Sequence, residues 1–269
     1  MPLLIGLVVA IVIAFAAYRA HSLDRSGALV ATLVGTVIFA AGGWQWAVLL
    51  LAFFISSSLL TRVYGDRKRV ANRDYAKTGA RDAGQVVANG GLPSLFAMLH
   101  FFFPDHAWPW IGFAASLAAA NADTWATELG VLNPRPPRLI TNFRMVEPGS
   151  SGGISLAGTL AGVAGAAFIG LLAGVFAPSA YRSLNSEYWL VITVAGLLGS
   201  LFDSLLGATV QAIYWCPTDE KETERHPLHT CGTPTTLLRG WSWLGNDWVN
   251  FACASFGAAV ALAGFASLA

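Results

Sequence analysis

The chain has 269 residues, 55% of them hydrophobic and only 12% charged, with a mean hydropathy of +0.57. Soluble domains carry about 25% charged residues, so the composition excludes a soluble enzyme and implies an integral membrane protein. A net charge of +1 provides no electrostatic footprint for nucleic acid, and three cysteines, Cys216, Cys231 and Cys253, do not make a disulfide framework.

The start, MPLLIGLVVA, has no basic residue ahead of its apolar run, so it reads as a retained first helix rather than a secretory signal. Apolar segments run roughly over 2–18, 27–42, 44–60, 88–103, 108–132, 153–177, 188–211 and 246–268. They predict a single all-α membrane domain over 1–269, a polytopic bundle of about eight spans. Several segments fall short of the ~20 residues a full span needs, and 27–60 reads either as two spans or as one re-entrant element. With the spans alternating, Arg182 alone of the 16 basic residues falls on one side; the others, from Arg19 to Arg239, fall on the opposite side. The positive-inside rule makes the basic side cytosolic and places both termini outside, as in a multi-pass protein of a bacterial inner membrane.

The loop 61–87 carries Arg62, Arg67, Lys68, Arg69, Arg73, Lys77 and Arg81. Topogenic charge explains such a cluster; a surface for anionic headgroups or a nucleoside triphosphate is the functional alternative. Asn89, Gly90 and Gly91 are placed at the cytosolic start of the fourth span, where free helix N–H groups suit phosphate.

The fifth segment contains Asp123 and Glu128 with no basic residue to neutralise them, and the seventh contains Asp203. A carboxylate at a helix centre in hydrocarbon costs about 2.5–3.5 kcal/mol, so it persists only beside a polar cavity, a partner or an ion. Asp123 and Asp203 fall about 14 and 12 Å from the cytosolic ends of their segments at 1.5 Å per residue, hence at similar depth. Thr124 and Thr127 accompany Asp123, and Ser200, Ser204 and Gln211 accompany Asp203, as polar stripes. Interhelical hydrogen bonding is the plainer role for these hydroxyls.

Between the two acids, Ser150, Ser151, Gly152 and Gly153 follow Pro148 and are expected to open the sixth span. Backbone donors at a glycine-rich helix start suit phosphate, with Arg144 nearby to offset its charge; an ordinary helix cap is the alternative. On the phosphate reading, a Cβ at Gly152 or Gly153 obstructs the ligand. The loop 212–245 holds Cys216, Asp219, His229 and Cys231, residue types that bind zinc. A second CxxC pair is missing, so the spacing favours a plain solvated loop over a Zn²⁺ site. The last segment opens with Asn246 and Asn250 one turn apart, either caps or amide ligands.

Taken together, ANADTWATELG, EPGSSGGISLAGTLAG, LFDSLLGATVQA and NDWVNF resemble the membrane family called domain of unknown function 92, which includes plant phytyl-phosphate kinase. The resemblance covers residues from about 20 to 260 and extends distantly to CTP-dependent dolichol and phytol kinases. It implies a kinase that converts an isoprenyl monophosphate to the diphosphate, with a nucleoside triphosphate, CTP favoured, as donor. Matched motifs carry roles onto Asp123, Glu128 and Asp203 as the catalytic acids, Ser150 to Gly153 as the phosphate loop, and Asn246 and Asn250. Bacterial relatives often have CPxCGK where this chain has CPTDEK, so Asp219 replaces a cysteine there. The chemistry agrees: magnesium takes oxygen ligands, one or two carboxylates plus phosphate, and Asp123 with Asp203 are the expected Mg²⁺ ligands. Two other readings use the same residues, a transporter of a small cation or metabolite and a lipid-phosphate cytidylyltransferase. A permeation path needs polar residues at both depths, whereas these acids cluster in the cytosolic half.

Overall fold

The computed structural model describes residues 1–64, 79–181 and 187–268. The basic residues Arg67, Lys68, Arg69, Arg73, Lys77 and Arg182 lie outside the described residues. Eight helices run in chain order: α1 (Pro2–Arg19), α2 (Arg25–Gly42), α3 (Trp44–Tyr64), α4 (Ala83–Phe102), α5 (Trp108–Gly130), α6 (Leu156–Val175), α7 (Glu187–Thr209) and α8 (Asn246–Leu268). Every predicted segment is a helix, and 27–60 is two helices that part at Gly43, whose φ of 87° ends α2.

The all-α bundle expected from the sequence is the fold, and the few strands are confined to its connections. The loops carry short strands: β1 (Arg138–Leu139) pairs with β2 (Gly153–Ile154), while β3 (Ile213–Cys216), β4 (Lys221–Thr223) and β5 (Thr236–Arg239) form an antiparallel sheet in the order β4-β3-β5. In the sequence β1, β3, β4 and β5 fall in loops and β2 at the start of the sixth apolar segment, because strands of two to four residues show no usable alternation.

Six helices are long and apolar enough to cross a membrane by length and composition; α4 and α5 are not among them. The reason is position. Helix α5 packs against α3, α4, α6, α7 and α8, and 15 of its 23 residues are buried. A helix shielded from lipid by neighbouring helices does not need an apolar surface all round. Helix α1 shows the opposite pattern. Its buried stripe is Gly6, Ala10, Ala14 and Ala17, facing α2, while Leu4, Val8, Val12 and Phe15 are exposed, as lipid contact requires.

Small residues set the spacing around α5. A Cβ on Gly196 or Gly199 of α7 would come within 2.9 or 2.6 Å of the methyl groups of Ala118 or Ala119, and one on Gly257 of α8 within 2.8 Å of Ala119. One on Gly165 of α6 would meet Trp125 and the Asn121 carbonyl. Polar glue joins the same helices. Asn121 is fully buried, accepts from Ser56 and Ser57 of α3 at 3.0 and 3.3 Å, and donates to the Gly165 carbonyl of α6 at 2.8 Å. The far half of the bundle is closed by rings: Trp46 lies 5.1 Å from Trp110 and 4.6 Å from Phe113, centroid to centroid.

Asn121→Leu keeps the volume but removes the three hydrogen bonds that tie α5 to α3 and α6, and is expected to cost about 1–3 kcal/mol. The check is the thermal midpoint of the detergent-solubilised variant against wild type. Sidedness is tested with an impermeant maleimide on intact cells. It is expected to label Asp105→Cys, in the α4–α5 connection, and to reach Thr141→Cys, in the α5–α6 connection, only after permeabilisation. Labelling of Thr141→Cys in intact cells inverts the orientation.

Candidate functional site

One end of the bundle encloses a polar cavity of about 300 Å³. Its wall comes from the last turns of α3, α5 and α7 and the first turns of α4, α6 and α8, which supply Thr61, Asp123, Glu128, Ser200, Asp203, Gln85, Asn89, Thr159, Asn246 and Asn250. Helices that alternate in direction bring ends and starts to the same face, so the eight-helix order itself assembles the site. The positive-inside rule expects this face to be the cytosolic one.

The acids predicted to converge do converge. Ser200 donates to Oδ1 of Asp123 at 3.5 Å, a long bond, and Asp203 lies within electrostatic reach of both Asp123 and Glu224. Oδ2 of Asp203 is buried without a hydrogen-bond partner among the described residues. Glu128 is buried and accepts from the Thr61 hydroxyl at 3.0 Å. Thr127, Ser204, Asn246 and Asn250 line the same cavity, as does Thr124, whose hydroxyl donates back to the Ala120 carbonyl. Carboxylates gathered with hydroxyl and amide oxygens form a hard-oxygen set of the kind Mg²⁺ takes.

Two helix starts are not where the sequence put them. Helix α4 begins at Ala83, capped by Asp82 in a capping box with Gln85, so Asn89, Gly90 and Gly91 lie inside it and their N–H groups belong to the helix ladder. Asn89 lines the cavity and donates to the Gln85 carbonyl, whereas Gly90 faces Val34 of α2 and Gly91 faces Val87. The capping pair outweighed the glycines as the start signal. Helix α6 begins at Leu156 with Ser155 as its cap, so Ser150 to Gly153 form a turn leading into β2 rather than a helix start. The turn still faces the cavity. Its Ser151 donates to Glu224 at 2.7 Å, and Gln211 donates to the same oxygen at 2.9 Å.

Glycine at 152 has a different cause from the one expected. Its φ is +84°, and a Cβ there would sit 2.5 Å from the Ala208 nitrogen of α7. Helix packing by itself already demands the glycine. Arg144 is exposed and does not line the cavity; Arg135 and Arg81 do. Arg81 donates to Ser58 at 2.7 Å and stands 5.6 Å over the Phe54 ring. Burial lowers its proton affinity, and the charge of Glu128 opposes that shift. In the sequence Arg81 is one of seven basic residues of the loop 61–87, with nothing to single it out, and Glu224 carries no signal at all. Nothing in ETER singles out a glutamate whose partners come from two other segments.

Cys216, Asp219, His229 and Cys231, expected to lie in a solvated loop, are brought together outside this cavity, their ligand atoms within 4.8 Å of one another.

Gly152→Ala is expected to destabilise the protein by about 1–3 kcal/mol, since a left-handed φ and a close backbone both oppose the methyl. Ser151→Ala removes one hydrogen bond and is expected to cost about 1 kcal/mol. Melting curves of the two variants check the order.

The comparisons with known proteins agree with this architecture. Residues 8–258 match the family described as integral membrane protein DUF92. Protein PGR of Arabidopsis thaliana is 35% identical over 268 residues, covering 93% of this chain and 91% of that protein. An uncharacterised membrane protein of Methanocaldococcus jannaschii is 36% identical over 208 residues, covering 77% and 82%. Protein VTE6, chloroplastic, of Arabidopsis thaliana is 26% identical over 247 residues, covering 89% and 64%. No solved structure matches. With most of its length matched and its acid motifs set in a helical membrane bundle, the chain belongs to the DUF92 family of integral membrane proteins.

Proposed function

We propose that the protein is a nucleoside-triphosphate-dependent kinase that converts an isoprenyl monophosphate to the diphosphate at the cytosolic face of the membrane. The observation that carries this reading is the meeting of two cavities. The polar, acid-lined cavity shares Arg81, Gln85 and Asn89 with an apolar slot of about 260 Å³ between α1, α2, α3 and α4, walled by Val9, Ile13, Val34, Leu51 and Phe54. An amphiphile with a hydrocarbon tail and a phosphate head matches that pair of environments. The tail lies in the slot, and Arg81 at the junction meets the head.

The residues fit a divalent cation, because Asp203 presents a buried oxygen that has no partner among the described residues, beside Asp123. A Mg²⁺ held there would neutralise charge on the phosphates. The remaining roles belong to the chain. Asp123 and Asp203 hold the cation, and Asn246 and Asn250 offer amides to the nucleotide. The turn at Ser150 and Ser151 faces the phosphates, and Arg81 and Arg135 offset their negative charge. The acceptor phosphate oxygen is already nucleophilic, so no general base is required. It forms a bond to the terminal phosphorus of the nucleotide as the bond to the bridging oxygen breaks, releasing the nucleoside diphosphate.

A permeation path finds less support. The half of α5 from Pro109 to Leu117 is buried against Trp46 and Phe96, so the polar lining does not continue across the bundle along this helix.

Purified protein in detergent, with labelled CTP or ATP and a panel of prenyl monophosphates, is expected to release the nucleoside diphosphate and a prenyl diphosphate. Release of pyrophosphate with a nucleotide-linked lipid identifies a cytidylyltransferase instead. Asp123→Asn and Asp203→Asn are each expected to lower turnover at least ~100-fold while the melting temperature holds or rises, because the neutral amide is cheaper to bury than the acid. Near-normal turnover in both variants rules out the carboxylate pair as the metal site.

A further inference from the structure

The three-stranded sheet after α7 is small. Its strands are three or four residues long, and Thr236, Leu237 and Leu238 of β5 are exposed. A sheet this small needs a staple, and a metal ion is one of the available kinds. At its far end stand four side chains with the right chemistry. Cys216 ends β3, Asp219 lies in the β3–β4 turn, and His229 and Cys231 come from the loop that leads to β5.

The spacing is that of a coordination sphere. The Sγ atoms of Cys216 and Cys231 are 3.5 Å apart, and Nδ1 of His229 is 3.0 Å from Oδ2 of Asp219. Bonds of about 2.0–2.3 Å in a tetrahedral zinc site set the ligand atoms about 3.3–3.8 Å apart. The two sulfurs already have that separation, well beyond the ~2.05 Å of a disulfide bond. The largest separation in the group, 4.8 Å, leaves about an ångström of closure to be made by rotation of side chains in a turn and a loop.

We propose that Cys216, Asp219, His229 and Cys231 bind a structural Zn²⁺ ion that holds the β3–β4 hairpin and the loop before β5 in place. Two thiolates, an imidazole and one carboxylate form a borderline-soft set that suits zinc; magnesium and calcium select oxygen alone. Four protein ligands leave no open position, so the ion stabilises the loop and does not activate water. The site is separate from the acid-lined cavity but connected to it mechanically. Cys216 pairs with Lys221 across the β3–β4 hairpin, and the same hairpin delivers Glu224 to Ser151 and Gln211. Arg239 of β5 ties the sheet to the end of α7 through the Gly207 carbonyl at 2.9 Å.

The test is metal content. Full-length protein is expressed in zinc-supplemented medium, purified in detergent with a thiol reductant, and measured by mass spectrometry of its metals. About one zinc ion per chain is expected. Cys216→Ser and Cys231→Ser are each expected to lower that content at least ~10-fold. Cys253→Ala, which removes the remaining cysteine, buried about two turns into α8, is expected to leave it unchanged. If the two serine variants do not fold, wild type alone decides. Stripped with a chelator and loaded with Co²⁺, it is expected to show a thiolate-to-cobalt charge-transfer band that added zinc bleaches. Wild type that holds no zinc and shows no such band overturns the proposal. So does zinc retained at full content in Cys216→Ser and Cys231→Ser, which assigns the ion to another site.

Discussion

The structure depends on how closely α6, α7 and α8 approach α5. The alanine-rich stretch from Ala114 to Ala122 gives that helix a surface of mostly small side chains, and Gly165, Gly196, Gly199 and Gly257 let its neighbours come within contact distance of it. In hydrocarbon no hydrophobic force drives helices together, so close packing and interhelical hydrogen bonds must hold the bundle. The Asn121 amide bridges α3, α5 and α6 where that packing is tightest. One consequence is geometric. Once α5 and α7 are this close along Ala118 and Ala119, the carboxylates a turn further on, Asp123 and Asp203, must share one space.

That shared space is expensive to build. Acids that face one another in a membrane bundle raise each other's cost, and among the described residues Asp123 accepts a side-chain hydrogen bond from Ser200 alone, at a long distance. Stability alone does not preserve such an arrangement, because a neutral amide of the same shape is easier to bury. The cost is concentrated at one end of the bundle, where the cavity admits polar groups. The opposite half is closed by Trp46, Trp110 and Phe113. The protein thus combines a rigid, dry half with a polar half that relies on its loops for completion. The loop residues Arg81, Arg135, Ser150, Ser151 and Glu224 supply that completion.

The loops were the least legible part of the chain. Glycine clusters read as helix starts at Asn89–Gly91 and at Ser150–Gly153. In each place the real start follows a better cap, Asp82 with Gln85 or Ser155. Glycine marks a need for room or for a left-handed backbone without saying what requires it. At Gly90 the neighbour is Val34, and at Gly152 it is Ala208. The short strands were invisible for the same reason, since their partners lie in other loops and no local period betrays them. The four metal-type ligands of the loop 212–245 looked too irregularly spaced to meet, yet a hairpin folds Cys216 back to Cys231.

The sequence by itself determined the membrane class, the eight helices and the two buried acids. Those features depend on local quantities: segment hydropathy, helix length and the cost of a charge in hydrocarbon. It also determined that Asp123, Asp203, Asn246 and Asn250 share one face, because depth along alternating spans is a matter of counting residues. Only the tertiary structure decided which neighbours complete the site. Arg81 comes from the connection before α4, and Glu224 is held by Ser151 and Gln211 from two other segments. It also decided that an apolar slot meets the cavity at Arg81, Gln85 and Asn89. These are contacts between segments far apart in the chain. They are set by how closely whole helices pack, a quantity that no window of sequence contains.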